Sequence, residues 1–79
     1  MRTPWGDLVR TRLGMTGEDM FSAPVAARLL GVSTAKAYKD ITSGRLPAVD
    51  LNGGDLGHPC WRLTKADLLE YVRRVEDKA

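Results

Sequence analysis

Three residues, Gly31-Val32-Ser33, separate two stretches of helical periodicity, and they constrain the fold more than any other feature of the chain. Upstream, Ser22 offers a side-chain oxygen to free helix amides and Pro24 suits a first helical turn. Val25, Ala26, Leu29 and Leu30 form an apolar stripe, and Gly31 is the residue type that most readily ends a helix. Val32 is an apolar plug and Ser33 caps again. Ala37 and Ile41 then mark one face of residues 34–43, which Gly44 closes. Two short helices joined this tightly must turn sharply on each other, which is the sequence form of a helix-turn-helix.

The flanking segments supply the rest of the core. Arg45-Leu46-Pro47 cannot continue a helix. Val49 and Leu51 alternate with Ala48 and Asp50, and Trp61 and Leu63 alternate with Cys60 and Arg62, as two half-buried strands would. Residues 52–59, NGGDLGHP, are rich in turn formers. A two-stranded hairpin with a long tip is expected, with Trp61 in the core beneath it. Thr64 caps a last helix with Asp67 in the capping-box position. Leu68, Leu69, Val72 and Val75 are its expected buried stripe, and the tail from Glu76 is expected to fray. At the front, Thr3 and Pro4 open a candidate helix over residues 4–13. Trp5, Leu8, Val9 and Leu13 share one of its faces, which packs on the core or meets a partner. Gly6 weakens this helix, Gly14 stops it, and residues 14–20 follow as a loop. The expected fold is mainly α with a small β-hairpin: a winged helix-turn-helix with an extra N-terminal helix. Residues 1–20 form the N-terminal helix and linker, and residues 21–79 the winged unit.

Composition excludes several classes. With 79 residues there is room for one domain and a small core. The single cysteine, Cys60, permits no internal disulfide, and with the single histidine, His58, it cannot build a four-ligand zinc site. Cys60 is expected to be a small strand residue with nothing nearby to activate it. His58 has no plausible nucleophile beside it, and NGGDLG lacks a P-loop lysine. No enzyme, metal or cofactor is expected. No apolar run approaches the roughly 18 residues of a membrane helix, and the N-terminus lacks a secretion signal. A cytoplasmic protein without a membrane partner is expected.

The net charge is +2, and its distribution is uneven. Residues 21–49 carry Arg28, Lys36, Lys39 and Arg45 against Asp40 alone, whereas the other segments are neutral or slightly acidic. A basic patch confined to the helix-turn-helix is the footprint of a phosphate-binding surface. A helix entering the major groove presents its N-terminal residues to base edges, which makes Thr34, Ala35, Lys36, Tyr38, Lys39 and Thr42 the candidate readers. Arg28, Ser33 and Arg45 are candidate backbone contacts, Arg10 and Arg12 could add to them, and His58 and Arg62 are candidate wing contacts. Arg73 and Arg74 suit the end of the last helix electrostatically. Winged helices also bind proteins, so an interaction module is the rival class. Salt-dependent association with duplex DNA separates the two.

Residues 21–72 resemble the excisionase and MerR-type winged-helix family. The resemblance is carried by FSAPVAARLLGVSTAKAYKDITSGRLPAVDL and, after a gap, WRLTKADLLEYV. Asp40 stands where the family has an apolar residue, which leaves Ile41 to hold its helix down largely alone. Pro24 and Val25 replace acidic residues. The wing is long and carries Asp50 and Asp55, which repel phosphate. MerR-type regulators add a long dimerisation helix and an effector domain; this sequence runs only through the wing and one short helix, as phage excisionases do. The resemblance therefore implies a recombination directionality factor in a bacterial host cell. Such a protein binds double-stranded DNA sequence-specifically, self-associates along it, bends an attachment site and directs a tyrosine or serine integrase toward excision. A small MerR-like transcriptional regulator and a phage terminase small subunit are the alternatives.

Overall fold

A computed structural model describes residues 2–51 and 60–78. The element order is α1 (Pro4–Met15), β1 (Met20–Ser22), α2 (Ala23–Leu30), α3 (Thr34–Thr42), β2 (Val49–Asp50), β3 (Trp61–Thr64) and α4 (Lys65–Lys78). The helix-turn-helix forms as its caps dictate. Ser22 Oγ accepts from the Val25 amide and Ser33 Oγ from the Lys36 amide. Gly31 adopts φ 72° and Gly44 φ 82°, left-handed conformations that only glycine enters without strain. Each glycine ends its helix in the same way. Val32 N donates to Ala27 O and Gly31 N to Arg28 O; Arg45 N donates to Asp40 O and Gly44 N to Ile41 O. These paired bonds satisfy carbonyls that a helix end otherwise leaves open.

The sheet has three antiparallel strands in the order β1-β3-β2. Phe21 pairs with Leu63, and Val49 with Arg62. The third strand, β1, lies partly within the segment expected to be a loop. Three residues are too few to show a period, and their conformation comes from pairing with β3. The core gathers Val9, Leu13, Phe21, Ala26, Leu30, Ile41, Leu46, Leu63, Leu68 and Val72, with Trp5 and Trp61 packed against it.

Several expectations are corrected. Helix α1 passes through Gly14 to Met15, and on its apolar face Leu8 is exposed while Val9 and Leu13 are buried. Val49 and Leu51 are exposed, because β2 is a two-residue edge and Leu46 fills the core beside it. In α4, Tyr71 and Glu76 are buried where Leu69 and Val75 were expected, which rotates the inward face onto Leu68, Tyr71, Val72 and Glu76. Glu76 does not fray. It is 4% exposed and accepts from Thr3 N at 2.7 Å, from Thr3 Oγ1 at 3.2 Å and from both Arg10 terminal nitrogens. The Arg10 bonds hold its carboxyl down at about 2 despite burial. Nor does Ile41 hold α3 alone: Ala37 and Asp40 are buried with it.

Helix α1 is tied to the body at both ends. Thr3 and Arg10 grip Glu76 of α4, Trp5 Nε1 donates to Leu30 O at 2.6 Å, and Arg12 Nη1 donates to Leu29 O at 3.2 Å. Trp5 and Arg12 thus satisfy open carbonyls at the end of α2.

Candidate nucleic-acid interface

Helix α3 buries Ala37, Asp40 and Ile41 and turns its other side outward. At 3.6 residues per turn, Ala35, Lys39 and Thr42 lie together at the centre of that outer side, with Tyr38 on one flank and Lys36 on the other. All five are exposed, as are Ser33 and Thr34 at the helix start. The sharp turn at Gly31 is what leaves this side uncovered, since α2 packs against the opposite one.

The polar groups on this side are not equally free. Thr42 Oγ1 lies 3.1 Å from Tyr38 O and 3.0 Å from Lys39 O, so its proton stays on its own helix while its methyl and lone pairs face outward. Ser33 Oγ accepts the capping bond and keeps its proton to donate. Lys36 Nζ is drawn aside to Asp40 Oδ2 at 3.1 Å. Among the described residues, Arg28, Lys39 and Arg45 are exposed and form no salt bridge.

The other candidates are placed differently. Arg62 is half-buried and its Nη1 donates to Trp61 O at 2.9 Å, so it braces the wing strand it belongs to. His58 and Asp55 lie outside the described residues. At the base of the wing, Leu51 N donates to Cys60 O and Cys60 N to Asp50 Oδ1, so Asp50 closes the strand pair. Arg10 and Arg12 are committed to Glu76 and to the end of α2.

Sequence reasoning missed a groove of about 560 Å³ between the end of α3 and α4, whose walls include Lys36, Asp40, Arg45, Tyr71, Arg74 and Lys78. Arg74 reaches across it to the carbonyls of Gly44 and Arg45 at 3.4 and 3.3 Å, fixing the turn that carries Arg45. The sequence signal for this groove is Asp40 itself, an acidic residue on the inward side of a helix and one turn from a lysine.

Among the described residues no cluster of His, Cys, Asp and Glu gathers in metal-binding geometry, and no helix is long and apolar enough to cross a membrane. The helix-turn-helix domain family matches the chain over residues 20–75, from β1 into α4. No curated protein and no solved structure matches it significantly.

Proposed function

Because the chain belongs to the helix-turn-helix domain family, we propose that it binds duplex DNA by placing α3 in the major groove. The observation that carries this reading is the outward side of α3, where Ser33, Thr34, Ala35, Tyr38, Lys39 and Thr42 are exposed and Lys39, near its centre, forms no salt bridge among the described residues. Lys39 is centred to donate to guanine O6 and N7, Ala35 and the Thr42 methyl to touch a thymine methyl, and Thr34 and Tyr38 to reach base edges or the adjoining phosphate. Ser33 and Arg28 approach the backbone from the start of α3 and from α2. Arg45 approaches it beyond the other end, whereas Lys36, drawn aside to Asp40 Oδ2, is left out of this contact set. Backbone contacts set register without reading sequence. The wing strand β3 is assigned to the side of the neighbouring minor groove, with Arg62 bracing it and His58, outside the described residues, kept as a candidate contact from sequence alone.

The role is that of an architectural factor of the excisionase type, with copies contacting one another along the DNA, bending an attachment site and turning an integrase toward excision. Support comes from the resemblance of residues 21–72 to the excisionase-type winged-helix family.

The test is a gel shift of the protein against attachment-site and scrambled duplexes at two salt concentrations. Successive cooperative complexes on the specific duplex are expected. A single complex of fixed stoichiometry contradicts the architectural role and indicates a conventional regulator or packaging factor. No complex on either duplex at low salt overturns the DNA reading and leaves a protein-interaction module.

A further inference from the structure

Asp40 is 2% exposed on the inward side of α3. Its Oδ2 accepts from the Tyr71 hydroxyl at 2.5 Å and from Lys36 Nζ at 3.1 Å, while its buried Oδ1 has no hydrogen-bond partner among the described residues. Burial pushes this carboxyl up, but the bonds from Tyr71 and Lys36 and the charges of Lys36 and Arg45 outweigh it, so the group stays ionised. A buried carboxylate is costly, and replacing such a group by an apolar one is often neutral or stabilising. Buried there, Asp40 also acts outside the core, through the bond it makes to an exposed lysine. That lysine, Lys36, is the only one of its two cationic neighbours that belongs to α3.

We infer that Asp40 is a positioning residue that holds Lys36 off the DNA, so that discrimination is left to Ala35, Tyr38, Lys39 and Thr42. The inference rests on the DNA-binding reading above. Lys36 lies one turn from Lys39 on the outer flank of α3. Released, its ammonium reaches a phosphate, adding a contact that every sequence offers equally. Such a contact raises affinity for competing sites as much as for the target, and its geometry adds nothing to sequence readout. Tethered to Asp40, Lys36 turns toward the groove between α3 and α4, and its charge is partly neutralised. Tyr71, packed in the core, fixes the Asp40 side chain that does the tethering.

The test is fluorescence anisotropy on a scrambled duplex across a salt series, using the whole chain, Asp40→Asn, Lys36→Met and the double variant. Asparagine keeps an oxygen for the Tyr71 hydroxyl and removes the charge. Asp40→Asn is expected to bind about three- to tenfold tighter, with a salt slope steeper by roughly 0.9. Lys36→Met alone should stay within about twofold of the parent, since its ammonium is already engaged. The double variant should return to the parent value. A gain that persists in the double variant overturns the inference, because it then reflects loss of a negative charge rather than release of Lys36. A Lys36→Met loss as large as that of Lys39→Ala also overturns it. Should Asp40→Asn not unfold cooperatively, Asp40→Leu combined with Tyr71→Phe replaces the polar pair with an apolar one, and the same gain and cancellation are expected. A parent chain that binds no duplex fails the DNA reading itself; one that binds through Lys39 yet shows no gain on Asp40→Asn fails this inference alone.

Discussion

At the scale of single residues, close approach and hydrogen bonding outweigh intrinsic propensity. A Cβ added at Gly6 falls 2.2 Å from Glu76 Oε2 and 3.0 Å from Thr3 Oγ1. Glycine to alanine in a helix interior normally stabilises by about 1 kcal/mol. Here the carboxylate it displaces is held by Thr3 and Arg10, so Gly6→Ala is expected to lower the urea midpoint; a raised midpoint contradicts the packing described. Tyr71→Phe removes the donor to a buried carboxylate while leaving the ring's edge-on contact with Trp5. A loss of about 1–3 kcal/mol in unfolding free energy is expected, and a change near zero contradicts the bond. On the outer side of α3, Lys39→Ala is expected to weaken specific binding more than scrambled binding, whereas Arg45→Ala is expected to weaken both alike, as measured by gel shift.

At the scale of elements, local chemistry was legible in the sequence and remote chemistry was not. The helix-turn-helix could be placed from Ser22, Gly31, Ser33 and Gly44 because capping is decided within a few residues. The capping box of α4 was equally plain: Thr64 N donates to Asp67 Oδ2 and Asp67 N to Thr64 Oγ1, at 2.9 and 3.1 Å. The anchoring of α1 was hidden, because Thr3 and Glu76 stand 73 positions apart and a glutamate near a chain end looks solvated. Strand β1 was hidden because its partner β3 defines it. Asp40 stands out in the sequence as a departure from an apolar pattern, but its partner Tyr71 comes from another helix 31 positions away. The α1–α4 contact has a pH signature. Glu76 ionises at about 2 in the folded chain against an ordinary 4.5, so its contribution is complete above about 4.5 and lost as pH falls toward 2. Glu70, held at about 2 first by its bond to Arg73, titrates in the same window, so the comparison must be with Glu76→Gln. The parent's advantage over Glu76→Gln in thermal midpoint is expected to shrink between pH 5 and 2; an advantage independent of pH contradicts the ion pair.

At the scale of the whole molecule, the fold sorts the basic residues of the chain into two kinds of charge. Arg10, Arg12, Arg73 and Arg74 are engaged within the chain, and Lys36 is tethered. Arg28 on α2, Lys39 on α3 and Arg45 just beyond it are exposed and form no salt bridge among the described residues, so the helix-turn-helix keeps free cations for a phosphate backbone. Sequence arithmetic found the basic segment, residues 21–49, but could not say which cations were already engaged. The central question for the molecule is whether this helix-turn-helix surface meets DNA. The most direct measurement is anisotropy of a labelled duplex titrated with the protein over a salt series, in parallel with Lys39→Ala. Binding is expected to weaken by roughly 0.9 log units per log unit of salt for each phosphate contacted, with a lower affinity for Lys39→Ala. Absence of binding at low salt, or binding indifferent to both salt and Lys39, would contradict DNA binding through α3.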